Sequence, residues 1–320
     1  MRLVMVLCAT LLSVACSGDK EAGRVSTDER IAFGSSRDGD FEIYTMNPDG
    51  SGVRQLTRNE ETDENEVRDD RPVWSRDGRW IAFMSSRDHG RGGVEQEELY
   101  VMRADGRDQN RLTENDTADL LTGWTDAGRI VFWACREGIA GCELRTIERD
   151  GGDEETVYET DDVVIASSGP HGGDVYARIL SRETSTLRGG TLLAIDVENG
   201  DSRELDVDGI PSPDRGRLLI ETDRDENGPC LFHDCEGHAP ELYVDDRRLT
   251  ETTGYEIHAR WSTGGTRIVF ARIGNDQGDD YELWIMNADG TCPTQLTDNG
   301  VWDWNPDWYG PPEGDQRLNC

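Results

Sequence analysis

Lysine is almost absent from this chain of 320 residues: Lys20 is the single one, and arginine supplies the rest of the 33 basic residues against 66 acidic ones. The formal charge of −33 repels nucleic acid and anionic lipid headgroups, so both are excluded as natural partners. Basic partners or divalent cations are the complement; plain solubility or a salty habitat is the non-functional reading of the same charge. Apolar residues make up only 35% of the chain, which is low for one compact core. The charged residues are nevertheless interspersed with Trp, Tyr and Ile, which excludes wholesale disorder. There is no Gly-x-Ser-x-Gly elbow and no His-Glu-x-x-His pair, so the common hydrolase signatures are missing. The run from Leu3 to Val14 is apolar but too short to span a bilayer as a helix.

That run has a different use. Arg2 precedes it and the small residues Ser13-Val14-Ala15 follow, the layout of an export signal. Residues 1–15 are therefore expected to be removed. The next residue, Cys16, makes the segment resemble a bacterial lipoprotein signal, in which that cysteine carries the lipid. The leucine usual three places before the cysteine stands one place earlier, at Leu12, and ordinary cleavage at the same bond is the alternative. Ser17 in the following position resembles lipoproteins sent to the outer membrane. Residues 16–29 read as the lipid anchor and a polar tether.

The rest of the chain is repetitive. IAFGSSRDGDFEIYTMNPDGSGVRQLT (31–57) returns as residues 81–113 and again as 268–297. Each copy has an apolar run, a longer run such as FEIYTMN (41–47) or YELWIMN (281–287), an Asp-Gly turn, and a short segment closing on Leu-Thr. A Trp-containing segment comes before it: RPVWS (71–75), TGWT (122–125), ARWS (259–262) and PDWY (306–309). Runs this short, rich in Ile, Val, Phe, Tyr and Trp and bounded by Asp-Gly, are strands joined by hairpins. EIYTM is bulky and apolar on both alternating faces, so it is covered on both sides. Four strands per unit, with the sheets stacked face to face in a ring, make a β-propeller.

The apolar second strand begins near Ile31, Ile81, Ile130, Val175, Leu218 and Ile268, which gives six blades, the fourth and fifth degenerate. The fold expected is all-β: a six-bladed β-propeller of four-stranded antiparallel blades over residues 30–309, followed by a C-terminal tail, 310–320. The chain enters at a second strand and ends just after a first strand. The C-terminal strand is therefore expected to complete the N-terminal blade and close the ring.

The pattern Trp-Ser-x-Asp-Gly-Arg-x-Ile-Ala-Phe, then Ser-x-Arg-Asp, then Glu-Ile/Leu-Tyr-x-Met-Asn-x-Asp-Gly, then Leu-Thr is similar to the repeats of the TolB-like propeller family. Trp74 to Phe83, Ser85 to Asp88 and Glu98 to Thr113 carry it, with Ser35 to Thr57 and Arg260 to Thr297. The classical Trp-Asp propeller signature, with its Gly-His pair, is absent from the repeats. The resemblance implies a non-enzymatic envelope interaction module. Similar propellers can precede a peptidase domain, but only residues 310–320 follow the closing strand here.

Cysteine parity fits export. Cys8 leaves with the signal and Cys16 takes the lipid, so six remain. Cys135 and Cys142 flank a turn and are expected to pair. Cys292 and Cys320 would then staple the tail to blade six, worth on the order of 3 kcal/mol if unstrained. The loop 222–241, TDRDENGPCLFHDCEGHAPE, allows three readings. Cys230 and Cys235 form a local disulfide; or Cys230, His233, Cys235 and His238 hold zinc; or Asp223, Asp225, Asn227 and Asp234 begin and end a Ca²⁺ loop, which is compatible with the disulfide. His258 is a candidate channel-lining residue. Most of the nine Trp occupy repeat positions and read as core, whereas Trp302 and Trp304 have no repeat role.

The expected function is a non-enzymatic, monomeric lipoprotein of the cell envelope, on the periplasmic or cell-surface side of an outer membrane. It has no cofactor unless Ca²⁺ is bound, and it holds an envelope protein or a basic peptide. The alternative is a metal-dependent enzyme or carbohydrate-binding propeller using the channel or the 222–241 loop. Cys16→Ala is expected to move the protein from the membrane pellet to the soluble fraction on cell fractionation; a variant that stays in the pellet removes the anchor.

Overall fold

A computed structural model of the chain describes residues 29–59, 67–88, 97–137, 140–181, 190–206, 209–222, 240–252, 254–273, 280–311 and 315–320. The export signal, Cys16 and most of the tether lie outside these residues. So do Cys230, His233, Cys235, His238 and the acidic set Asp223, Asp225, Asn227 and Asp234. Everything described is strand, turn or irregular. Among the described residues no helix is long and apolar enough to cross a membrane.

Blade 1 begins with β1 (Arg30–Ser35), β2 (Glu42–Met46) and β3 (Arg54–Gln55). Blade 2 is β4 (Asp69–Trp74), β5 (Trp80–Ser85), β6 (Glu98–Arg103) and β7 (Asn110–Arg111). Then come β8 (Ala118–Trp124), β9 (Ile130–Glu137), β10 (Ala140–Ile147) and the long β11 (Glu155–His171). After it run β12 (Asp174–Leu180), β13 (Thr191–Asp196) and β14 (Ser202–Leu205). Blade 5 is β15 (Ile210–Pro211), β16 (Leu218–Thr222), β17 (Glu241–Val244) and β18 (Arg247–Arg248). Blade 6 is β19 (Glu256–Trp261), β20 (Arg267–Ile273), β21 (Tyr281–Asn287) and β22 (Thr294–Gln295). The last strand, β23 (Asp303–Tyr309), returns to blade 1.

All the strand pairs of the five sheets are antiparallel. In blade 1 the order is β23-β1-β2-β3, and Arg30 faces Tyr309 while Ser35 faces Asp303. Blades 3 and 4 differ from the expectation of separate four-stranded units: they form one seven-stranded sheet from β8 to β14. The first half of β11 pairs with β10 as the outer strand of blade 3, and its second half pairs with β12 as the inner strand of blade 4. Residues 155–168, ETVYETDDVVIASS, contain neither Gly nor Pro and are rich in β-branched residues, which is compatible with one continuous strand.

The core lies between blades, as two-sided apolar strands require. Ile43, Leu56, Trp74, Ile81 and Phe83 join blades 1 and 2. Met84, Val101, Trp124 and Phe132 join blades 2 and 3. Trp133, Leu144, Val175 and Ile195 pack within the seven-stranded sheet. Leu219, Leu242, Trp261 and Phe270 join blades 5 and 6; Phe33, Met46, Leu283 and Trp308 join blades 6 and 1. Among the described residues no such cluster bridges blades 4 and 5, where β15 is only two residues long. Trp indoles add polar ties: Trp124 Nε1 donates to the Val73 carbonyl (3.0 Å) and Trp261 Nε1 to that of Ile210 (2.9 Å).

The charged repeat residues are consumed inside the blades. Arg37 lies over the rings of Phe33 and Tyr44 at 5.2 and 4.7 Å and donates to Asp303 at 2.9 Å. Arg87 repeats this over Phe83 and Tyr100 with Asp69, and Arg272 over Phe270 and Trp284 with Glu256. Each guanidinium links the middle strands of its blade to the inner one. The closing Leu-Thr is a clasp: Ile43 N–H donates to Thr57 Oγ1 (2.8 Å), and the hydroxyl donates to Glu42 Oε2 (2.5 Å). Leu242, Thr250 and Glu241 repeat it. Disulfides join Cys135 to Cys142, across β9 and β10, and Cys292 to Cys320.

Trp308 is buried at the closing seam, beneath the Arg267 guanidinium at 4.6 Å. Trp308→Ala is expected to cost about 3–5 kcal/mol in urea unfolding. A loss below about 1 kcal/mol would mean that the β1–β23 seam carries little of the stability.

Candidate functional site

Since the repeat spends its charges on itself, the candidate site lies where the strand pairing is interrupted. That place is the innermost strands, β23, β4, β8, the second half of β11, β15 and β19. In five of them the register to the next strand slips, as between Asp70 and Val73 or between Ile257 and Arg260. Three of the slips hold a non-glycine residue in the left-handed region: Arg71 (φ 51), His258 (φ 56) and Asn305 (φ 47). Such backbone costs on the order of 1 kcal/mol or more for Arg and His and gathers at binding sites. Pro72 and Pro306 follow two of these residues and lack a ladder donor, so the pairing is already interrupted there. His258, expected to line the channel, stands on β19 with its ring edge-on to Trp304 at 5.7 Å.

The bulges free backbone N–H groups, and acidic side chains from the blade before take them. Trp74 N–H donates to Asp307 (2.7 Å) and Ala259 N–H to Glu221 (2.5 Å). Asn305 Nδ2 bridges to both oxygens of Asp70 at 3.1 Å. Asp70 is buried, and burial pushes its carboxyl up. Burial also pushes Asp307 up to about 6, with Arg260 pulling the other way. Desolvation raises the Glu221 carboxyl too, against the Ala259 N–H bond and Arg260, which lower it. Burial takes His171, at the end of the inner strand of blade 4, down to about 4; Arg260, Arg76 and Arg215 add to the effect, so the imidazole is neutral. Arg215 donates to the Gly172 carbonyl beside it. The mouth of the channel thus collects arginines in a chain whose net charge is strongly negative.

Trp302 and Trp304 find their role at the seam of blades 6 and 1. Their rings lie 5.4 Å apart and pack on Phe41 and Tyr281, while the Arg68 guanidinium lies 4.5 Å over Phe41. Two other features were not read from the sequence. Asp38, Asp40 and Glu42 bring one oxygen each within 4.8 Å of one another. Glu42 belongs to the clasp with Thr57, and burial first, with Asp69 and Asp40 adding, raises it to about 8. A cavity of about 340 Å³ opens between the turns 75–77 of blade 2 and 125–128 of blade 3. Trp80 lines it, flanked by Arg103 and Arg149 at 4.8 and 4.3 Å, and Arg76 is paired with Asp126 at 2.8 Å.

No family model matches the sequence. An uncharacterised protein of Agrobacterium fabrum is 29% identical over 130 residues, 38% of this chain and 40% of its own length. The Tol-Pal system protein TolB of Desulfosudis oleivorans is 36% identical over 88 residues, 28% of this chain and 16% of its own. The chain therefore spans well under half the length of the curated relatives it matches. TolB from Acinetobacter baumannii superimposes with a TM-score of 0.63 at 17% identity, over 88% of this chain and 67% of that one. This chain has the β-propeller fold of TolB. At 17% identity the likeness is one of scaffold.

The Asp307 carboxyl is protonated up to about 6 in the fold, whereas an unfolded carboxyl titrates near 4. Its contribution to stability is full below about 4 and is lost as pH rises to about 6. Asp307→Asn is expected to flatten the melting curve over that window. Because water reaches Asp307, the gain at pH 7.5 should be on the order of 1 kcal/mol, a few degrees in calorimetry. A variant that melts lower at pH 7.5 would show that the ionised carboxylate is needed.

Proposed function

We propose that the TolB-like propeller is a non-enzymatic binding scaffold of a bacterial cell envelope, and that its channel mouth holds a segment of another protein. The observation that carries this is the set of left-handed residues Arg71, His258 and Asn305 at matching positions of adjacent blades. Each stands three residues before the tryptophan of its strand, Trp74, Trp261 or Trp308, and such strain persists where a surface is shaped for contact. The relatives named Tol-Pal system protein support an envelope setting. In this reading Cys16 carries a lipid, the ring faces the periplasm or the cell surface, and the chain works as a monomer. A partner with a basic face is favoured, since the charge of −33 steers it by long-range attraction.

Among the described residues the guanidinium of Arg260 donates to its neighbour's carbonyl, that of Ala259, at 2.9 Å, and its other N–H groups would serve carbonyl acceptors of the held segment. Cross-linking of the full chain in cell envelopes is expected to yield a discrete partner, with affinity lowered about tenfold by Arg260→Ala and unchanged by Arg54→Ala on the rim. Loss with both variants, or with neither, would remove the mouth as the site. Stoichiometric Ca²⁺ or Zn²⁺ surviving dialysis would instead favour the metal-dependent alternative.

A further inference from the structure

The turn between the first two strands of a blade has a recurring internal acid. In blade 2, Asp77 accepts from Ser75 Oγ (2.7 Å) and Arg79 N–H (3.1 Å). In blade 5, Asp214 accepts from Ser212 Oγ (2.6 Å) and Gly216 N–H (3.1 Å). The blade 6 turn, Ser262-Thr263-Gly264-Gly265-Thr266, has no acid. Its place is taken by Asp315 from the C-terminal tail, which accepts from Ser262 Oγ (2.6 Å) and Thr266 N–H (3.1 Å). Thr266 Oγ1 and Arg267 Nε add two more bonds, at 2.7 and 2.9 Å. A Cβ on Gly264 would lie 2.7 Å from the Asp315 carboxylate, so the seat requires that small residue.

Three residues on, a second contact reads the same segment. The Asn287 side-chain amide accepts from Leu318 N–H (2.7 Å) and donates to the Leu318 carbonyl (3.1 Å). This recognises extended main chain irrespective of side chain. The Leu318 side chain packs against the apolar cluster of blades 6 and 1. Arg317 reaches Asp289, and Cys320 is bonded to Cys292.

We infer that this face of blade 6 is a peptide-binding seat for an extended segment with Asp and Leu three places apart, and that the tail is its resident, competing ligand. Recognition resides in the side chain of Asp315 and in the main chain and side chain of Leu318, so a partner's segment with the same two residues satisfies the same donors. The Cys292–Cys320 bond holds the tail at high local concentration and sets the competition against outside segments. The seat shares no residue with the channel mouth, so the two proposals stand or fall separately.

The test uses the full chain carrying Cys292→Ser, Cys320→Ser, Asp315→Ala and Leu318→Ala, which weakens the resident tail. The probe is a labelled peptide of residues 315–320 with serine in place of its cysteine. Binding in the micromolar range by fluorescence anisotropy is expected, with at least about tenfold weaker binding to the disulfide-bonded wild type. A peptide with Asn for Asp should bind the variant about tenfold more weakly. A cooperatively melting variant that does not bind, equal binding of the Asn peptide, or dimers formed by exchange of tails would each overturn the proposal. Should that variant fail to fold, the chain with only the two Cys→Ser changes and an excess of peptide replaces it. Hydrogen exchange is then expected to speed up at the Leu318 amide while the Thr266 amide stays protected. Unchanged exchange at Leu318 would refute displacement.

Discussion

Everything in this molecule depends on a ladder of backbone hydrogen bonds between its two ends. β1 has no inner neighbour until β23 arrives, and β23 has no sheet of its own. Without the pairing, the first and last strands would each present unpaired N–H and C=O groups. The side-chain chemistry at the seam converges on this constraint. Arg37 of blade 1 reaches Asp303 on the returning strand, Trp308 fills the apolar seam, and Arg267 lies over its ring. Arg267 also binds Glu29 through both carboxylate oxygens at 2.7 Å and Asp315 at 2.9 Å. One shielded guanidinium therefore touches both ends of the described chain.

The repeat explains how so acidic a chain keeps a fold of thin sheets. Its acids are placed where they accept hydrogen bonds from backbone, hydroxyl or guanidinium groups, and a shielded carboxylate with partners is tolerated where a bare one is not. Arginine suits this role better than lysine: a planar guanidinium can lie on an aromatic ring and donate sideways to a carboxylate at once. The scarcity of lysine is compatible with that geometry, since arginine over a ring recurs in blades 1, 2 and 6.

Much of the scaffold was legible because its signals are local. Strand alternation, Asp-Gly turns and the closing Leu-Thr act over a few residues, so IAF and EIYTM already show which strands are covered on both faces. The strand entry at Ile31 and exit at Tyr309 carried the closure as well. The continuous β11 was missed because the blade count assumed a break that residues 155–168 do not contain. The candidate sites were far less legible. Arg71 and His258 are not glycines, so their left-handed backbone leaves no mark in the sequence. Asp315 acts on Ser262, 53 positions away, and its role shows only once the blade 6 turn is seen to lack the acid of Asp77 and Asp214. The sequence drew attention to Asp223 and Cys230, outside the described residues, while the described structure points to Arg260 and Asp315.

Ring closure also sets a timetable. A chain is made and threaded from its N-terminus, yet its N-terminal blade needs the residues made almost last. β1 to β3 must wait, as an open three-stranded sheet, for some 250 further residues to appear. Contacts of that sequence separation form slowly, because a very long loop must close before they give any return. The order of emergence and the order of completion are thus opposed, and the ring cannot lock while any part of β23 is still in transit. In a chain exported as proposed, that delay would keep the body loose enough to be threaded and commit it to its final shape only on the far side.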